Sequence, residues 1–528
     1  MKKILITDSI SDKCIKELES AGYDVDYKTD FSPEALKKKI RDYNALIVRS
    51  ASKITSDIIE KMDNMEVIGR AGTGVDNIDI ESATKKGILV LNTPGGNTVS
   101  AAEHTIAMML SICRLIPMAS RSLSEKKWDR KSFKGSELQN KTLGLLGLGK
   151  IGWEVAKRAQ GFGMKVIAYD PLLSSEVAEN INVSLQDIDD VFINSDIISV
   201  HVPLNNKTKY LISEETLSKC KDGVKIVNCA RGGIVNEKDL LKALSSGKVS
   251  GAALDVFESE PPDTENKLLN HSKVVCTPHL GASTDEAQEK VAIQIAKQIS
   301  DYFLNNRISG AVNAPSVQKE IPNRLEPYVK LAEVIGLCHS QIIKGQLNNI
   351  EINLWGDDLN TISELLTASL LTGLLSKQRS ERVNLINAQL LAKEEGIALR
   401  QIKSSETRAY NNLIGVSLNS NSNFSRVIEG TVVGKNELRI INIDGFPVDF
   451  NPTGKLILYY NKDIPGILAN VSSLLANEQI NIAGLSLGRI QEGKEALTII
   501  KIDNDFSSEL LERLKSIEGI KSIYSVTI

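Results

Sequence analysis

One short run limits the fold of this 528-residue chain more than any other feature. Thr142–Leu146 is an apolar strand that passes directly into Gly147-Leu148-Gly149-Lys150-Ile151-Gly152 and then a helix-compatible sequence. Gly147 permits a tight turn, Gly149 lets the backbone approach a pyrophosphate, and Gly152 lets the helix pack closely on the strand. Phosphate groups sit well at the start of such a helix, where unpaired N–H groups and the helix dipole favour negative charge. The next strand, Lys165–Tyr169, runs into Asp170, eighteen residues past Gly152. An aspartate there accepts hydrogen bonds from ribose hydroxyls and repels a 2′-phosphate, and no arginine follows it. The run predicts a Rossmann-type domain that binds NAD rather than NADP.

The strands around it agree. Residues 225–228, 251–254 and 273–276, with Ile197–Val200, read as continuous apolar runs, as expected for a parallel sheet covered on both faces. Residues 3–7, 45–49 and 67–71 read as strands of an earlier α/β unit, with helical segments between them. A long helix is expected from about residue 101, with Ala102, Ile106, Met109 and Cys113 on one face and Pro117 ending or kinking it. Another helix is expected over 284–304, followed by a linker at 313–316. Beyond it the character changes. Helical runs at 365–375 and 383–394 precede strand-like stretches at 426–433 and 438–443 and a turn at 444–447, with no catalytic motif. The last stretch reads β-α-β-β-α-β, the ferredoxin-like pattern.

A chain of this length should divide into several domains. A net charge of −3 without a basic block gives no support to a nucleic-acid or anionic-membrane surface. Asp8 stops the opening apolar run too early for a secretory leader, and no apolar run is long enough to span a bilayer. The six cysteines are dispersed, which suits reduced thiols better than a disulfide frame or a metal site.

The ends of successive strands carry one set of candidates for chemistry, which is where open α/β sheets bind ligands. Arg231 follows a buried strand, in Cys229-Ala230-Arg231-Gly232-Gly233, and its guanidinium fork matches a carboxylate. His279, in Thr277-Pro278-His279-Leu280-Gly281-Ala282, is the candidate base among five histidines; His201, also at a strand end, is its rival. Glu260, before two prolines, is a candidate to orient and charge-stabilise the imidazole. A base, a carboxylate clamp and an orienting acid beside a dinucleotide point to hydride transfer at C2 of a small 2-hydroxy acid.

Together these blocks, in this order, resemble the D-isomer-specific 2-hydroxyacid dehydrogenases over residues 1 to about 312. The resemblance places the family's Arg/Glu/His trio on Arg231, Glu260 and His279. It implies NAD contacts at Thr73, Gly147, Gly149, Lys150, Ile151, Gly152, Asp170, Val202, Cys229, Ala230, Arg231, His279, Gly281 and Ala282, and a contact of Asp255 with the nicotinamide carboxamide. The whole chain is similar to the long branch of the family that acts on 3-phosphoglycerate, with Gly430-Thr431-Val432 and Asp444-Gly445 matching its intervening domain. That branch implies a flavodoxin-like substrate domain over 1–97 and 283–312, the Rossmann domain over 98–282, an α+β intervening domain over 315–452 and an ACT domain over 453–528.

It further implies that Arg49, Asn97, Arg231 and His279 hold the substrate, that Arg130 reaches it from a neighbouring subunit, and that the first two domains close on it. The ACT pieces Asp463-Ile464-Pro465-Gly466 and Ile480-Asn481-Ile482 imply an L-serine inhibitory site at Asn461, Asp463 and Asn481, although position 461 is His or Tyr in many relatives. A cytoplasmic homo-oligomer, dimer or tetramer, is expected, with no nucleic acid, membrane or metal. Two alternatives stay open on the sequence. One is a reductase of glyoxylate, hydroxypyruvate or 2-oxoglutarate. The other is a non-catalytic NAD-sensing regulator.

Overall fold

The computed structural model describes every residue except 315–320, 344, 380–381 and 422–424. The expected linker is therefore seen only through Ala314; its residues 315 and 316 lie outside the described residues. The described strands form four sheets.

The first sheet is parallel and holds β1 (Lys3–Ile6), β2 (Asp24–Tyr27), β3 (Ala45–Val48), β4 (Val67–Arg70) and β5 (Leu89–Leu91), in the order β2-β1-β3-β4-β5. That is the flavodoxin-like order. Its strands are apolar on both faces: Ile4, Ile6 and Ile47 enter one core, Leu5, Leu46 and Val48 the other. β2 escapes a sequence reading because Asp24-Val25-Asp26-Tyr27, on an edge, has no apolar run.

The second sheet is also parallel. It holds β6 (Thr142–Leu146), β7 (Lys165–Tyr169), β8 (Ser184–Leu185), β9 (Ile197–Val200), β10 (Val224–Asn228), β11 (Val249–Leu254) and β12 (Val274–Cys276). Their order, β12-β11-β10-β9-β6-β7-β8, reverses direction at β6 and β9. The glycine turn after β6 thus lies at the switch point where such sheets bind ligands.

The chain crosses between these units twice. The Thr98–Arg114 helix leaves the first sheet and packs on the second, burying Ala102, Ile106, Met109 and Cys113. It ends at Leu115, which adopts a left-handed conformation (φ 54°). Pro117 lies in the first turn of the next helix, Ile116–Ser124, so the break falls before the proline rather than at it. No single described helix is long and apolar enough to cross a membrane; these two pass such a test only as a pair, bent by 64°. The Asp285–Asn305 helix makes the return crossing, capped by the Thr284 side chain, and places Ile295 and Ile299 against Gly69 of β4.

The third sheet is mixed: β13 (Leu347–Trp355), β14 (Ala398–Ser404), β15 (Leu413–Ser420), β16 (Ser425–Val433), β17 (Glu437–Ile443) and β18 (Phe446–Phe450), in the order β14-β13-β15-β16-β17-β18. The fourth holds β19 (Lys455–Lys462), β20 (Ile482–Arg489), β21 (Glu495–Ile502) and β22 (Ile520–Thr527), ordered β20-β21-β19-β22. Alternation along β19 divides its side chains. Ile457 and Tyr459 meet the Ile467–Asn477 and Ser508–Lys515 helices, whereas Leu456, Leu458 and Tyr460 join the core of the third sheet. The two C-terminal units share one hydrophobic cluster, with no gap at the expected boundary near residue 452. Asp444 links them, because its carboxylate accepts from Arg426 and from the Tyr460 hydroxyl (2.5 Å). The Arg426 guanidinium also donates to the Tyr524 hydroxyl (2.9 Å).

Two glycines set the closest helix contact in this half. In the crossing of Glu326–Ile342 with Ser363–Leu375, a Cβ on Gly336 would collide with the Leu370 carbonyl, and one on Gly373 with the Glu333 carbonyl. Gly373→Ala is therefore expected to destabilise the C-terminal half by about 1–3 kcal/mol through overpacking. Urea unfolding of the full chain checks this, and an unchanged transition for that half would contradict it.

Candidate active site

The loops after β4, β10, β11 and β12 meet at a cleft of about 660 Å³ between the first two sheets. Arg231, Glu260 and His279, separate in sequence, all line it. His279 Nδ1 lies 2.8 Å from Glu260 Oε2, so the carboxylate accepts from that nitrogen and leaves Nε2 for other work. The bond and charge of Glu260 raise the imidazole pKa above its ordinary 6.5; burial and Arg231 oppose this and are outweighed. Burial pushes the Glu260 carboxyl up, but the His279 bond and charge, the Phe257 N–H and Arg231 hold it below the usual carboxylate range. His201, the rival base, also lines the cleft and is half-buried. Its Nε2 lies 2.9 Å from Ser199 Oγ, and burial lowers its pKa to about 4, which leaves it neutral.

The cleft is strongly cationic on one side. Arg231 donates from Nε to Asp76 (3.0 Å), across from the first sheet. Arg49 lines the same wall and donates to the Ser9 carbonyl. Arg70, at the end of β4, joins them, and its Nε has no hydrogen-bond partner among the described residues. Burial, then the nearby Arg231 charge, lowers its pKa to about 10, so it stays protonated at neutral pH. Sequence reasoning gave Arg70 no role of its own, although it is the last residue of β4. It also missed Asp8. That buried carboxylate accepts from the backbone N–H groups of Arg49 (2.7 Å), Ala51 and Ser52, and so shapes the loop that aims Arg49.

The glycine turn is built to hold a dinucleotide. A Cβ on Gly147 would come within 2.6 Å of the His201 carbonyl, and one on Gly152 would collide with the Gly147 carbonyl. Gly149, by contrast, faces open space and caps the Lys150–Gly161 helix without any side-chain hydrogen bond. Its helix start is thus free to receive an anion. Asp170 accepts from Leu148 N (2.9 Å) and Leu172 N (3.0 Å), which fixes its carboxylate beside the turn. Thr73, Ile151, Val202, Cys229, Ala230, Gly281 and Ala282 line the cleft. The Cys229 thiol is pushed up to about 12 by burial and by Asp255, so it stays protonated. Lys150 lies near Gly95, on the facing loop.

Other expected residues are placed differently. Asp255 is fully enclosed behind the cleft wall. Its carboxylate accepts from Thr277, Leu280 and Gly281, so a contact with the nicotinamide is not open to it in this conformation. Asn97 lines the cleft and accepts from Thr73 Oγ1 (2.7 Å). Arg130, expected to act from a neighbouring subunit, lies outside the cleft of its own chain and is exposed on the segment that follows the Ile116–Ser124 helix. Asn461 is buried and donates to the Lys462 carbonyl (2.7 Å), and Asp463 accepts from Gly493 N and Arg489. Asn481 instead donates to Asp503 (2.6 Å), beyond the far end of β21 from Ala496, the partner of Asn461. One chain does not bring Asn461 and Asn481 together.

Comparisons with known proteins identify the family of the chain. Residues 106–281 match the D-isomer specific 2-hydroxyacid dehydrogenase NAD binding domain. Residues 324–444 match the D-3-phosphoglycerate dehydrogenase intervening domain, and 455–519 the ACT domain. The chain is 41% identical to a D-3-phosphoglycerate dehydrogenase of Methanocaldococcus jannaschii, covering 100% of both chains. It is 40% identical to one of Bacillus subtilis over 99% of both. Among solved structures, it is similar to a D-lactate dehydrogenase of Aquifex aeolicus complexed with NAD and lactic acid. That match has 29% identity and a TM-score of 0.51, over 57% of this chain and 95% of the other. The chain therefore belongs to the D-3-phosphoglycerate dehydrogenases, NAD-dependent oxidoreductases within the D-isomer-specific 2-hydroxyacid dehydrogenase family.

Proposed function

We propose that the chain oxidises 3-phosphoglycerate to 3-phosphohydroxypyruvate with NAD, the first step towards L-serine. The observation that carries this is the His279–Glu260 pair beside Arg231, on a cleft wall that also holds Arg49 and Arg70. Three guanidinium groups suit a substrate with a carboxylate at one end and a phosphate at the other. An uncharged substrate would leave them repelling one another.

In this reading Arg231 binds the C1 carboxylate and turns C2 towards the dinucleotide. His279 Nε2 takes the C2 hydroxyl proton, and Glu260 stabilises the imidazolium that results. Gly147, Gly149, Gly152 and Asp170 would hold NAD, which supplies the hydride acceptor. Arg49 and Arg70 hold the 3-phosphate, assisted by Asn97.

We place Arg130 in a neighbouring subunit's cleft. The Ile116–Ser124 helix buries no residue in the single chain, and Ile116, Leu123 and Trp128 are all more than half exposed. An apolar surface of that kind suits a second copy of the chain. The separation of Asn461 from Asn481 likewise fits an L-serine site shared by two ACT domains in a cytoplasmic oligomer.

The central test is a steady-state rate on 3-phosphoglycerate against D-glycerate. The phosphorylated substrate should win by at least ten-fold in kcat/KM, and Arg70→Gln should erase most of that preference; equal rates would favour an unphosphorylated substrate. His279→Gln should lower turnover by roughly two to four decades with NAD binding retained. The base must be unprotonated to act, so kcat/KM for oxidation should rise with pH through a limb above 6.5. Glu260→Gln removes the main cause of the raised pKa and should move that limb to lower pH; an unmoved limb would free His279 of this role. Sedimentation velocity should find an oligomer, and L-serine should inhibit the rate. A monomer, or indifference to serine, would count against the respective assignment.

A further inference from the structure

The catalytic loop is held from behind by a helix that no catalytic motif includes. His279 adopts a left-handed backbone (φ 54°), which is costly for a residue with a Cβ and persists only where neighbours over-determine it. The bonds that do so converge on Asp255. Its carbonyl accepts from His279 N (2.9 Å). Its carboxylate accepts from Leu280 N (2.7 Å) and Gly281 N (2.9 Å). His279 and the two residues after it are therefore pinned to one enclosed residue.

A buried carboxylate needs donors beyond two amides. Thr277 Oγ1 lies 2.6 Å from Oδ1, and His104 Nε2 lies 3.1 Å from the same oxygen. His104 Nε2 is also 3.2 Å from Thr277 Oγ1. The Thr277 hydroxyl hydrogen is committed to Asp255, so towards His104 its oxygen only accepts. Both neighbours of His104 Nε2 are then acceptors, and this pattern assigns the hydrogen to Nε2. His104 comes from the Thr98–Arg114 helix. One turn earlier on the same face, Ser100 Oγ donates to the Gly281 carbonyl (2.8 Å). The helix that begins at the crossing between the first two units thus grips the 277–281 segment at two points.

We infer that His104 is a positioning residue for hydride transfer, acting through Asp255 to fix the loop that presents His279. This rests on the functional reading above. The His104 side chain is mostly enclosed and is not part of the cleft wall, so it acts on the reaction only through the loop. A displacement of His279 by about 1 Å is enough to cost on the order of a hundred-fold in rate.

The test compares His104→Leu, which removes the donor, with His104→Gln, which keeps an N–H at similar reach. Two readouts are taken. One is amide hydrogen exchange at 280–281 in the protein without ligands. The other is steady-state kinetics. His104→Leu should speed exchange at those amides and lower kcat about 10- to 100-fold, with the KM for NAD changed less than two-fold. His104→Gln should restore most of both. Unaltered exchange in a folded His104→Leu variant, or a glutamine variant as impaired as leucine at equal Tm, would overturn the inference. Should His104→Leu fail to fold, Thr277→Val removes the other side-chain donor and must give the same pattern, and its failure to do so would equally overturn it. If the unaltered protein does not turn over 3-phosphoglycerate, the functional reading falls, while the exchange comparison still decides whether His104 orders the loop.

Discussion

Two parallel sheets point strand ends at a shared cleft, and everything proposed for the chemistry depends on that apposition. The chain crosses between the sheets twice, through the Thr98–Arg114 and Asp285–Asn305 helices. Each is anchored by burial on the sheet it reaches, Met109 and Cys113 in one case and Ile295 and Ile299 in the other. Both crossing helices begin beside the cleft, where Ala101 and Ala287 line it. Residues from the first sheet, Arg49 and Arg70, can then face residues from the second, Arg231 and His279, over one bound molecule.

The electrostatics of the cleft follow from that meeting. Three guanidinium groups in a partly enclosed space repel one another, and the lowered pKa of Arg70 registers both burial and the Arg231 charge. Asp76 and Glu260 offset part of this. The His279 imidazole responds to both signs at once, and the directly bonded Glu260 outweighs Arg231 and burial. A base tuned upward in this way matches the task of accepting a hydroxyl proton near neutral pH.

The C-terminal half is organised by a different constraint. Its two sheets bury one face against each other's elements, and Asp444, Arg426, Tyr460 and Tyr524 fasten that junction with charge-assisted hydrogen bonds. This half also touches the first domain. Asn384 donates to the Gly87 carbonyl (2.8 Å), and Lys85 pairs with Glu394.

Much of this was legible in the sequence where a local pattern has a local cause. The glycine turn requires a strand before it and a helix after it, whatever surrounds them. The apolar runs of the second sheet announce burial on both faces, and the terminal β-α-β-β-α-β pattern follows from periodicity alone. The Glu326–Ile342 helix and the strands β13, β14 and β15 were not read; β14 is an exposed edge with no apolar run, whereas β13 buries Ile350, Ile352 and Leu354 in alternation and was legible in its pattern. The residue types Arg231, Glu260 and His279 were available from the sequence; strand-end position singled out Arg231 and His279, and the case for Glu260 depended on the histidine.

What only the tertiary structure decided is which groups share a space. The 2.8 Å approach of His279 to Glu260, the presence of Arg70 beside Arg231, and the withdrawal of Asp255 into the protein are products of packing between segments far apart in the chain. Proximity of that kind depends on the summed geometry of many elements, so no local run of residues encodes it.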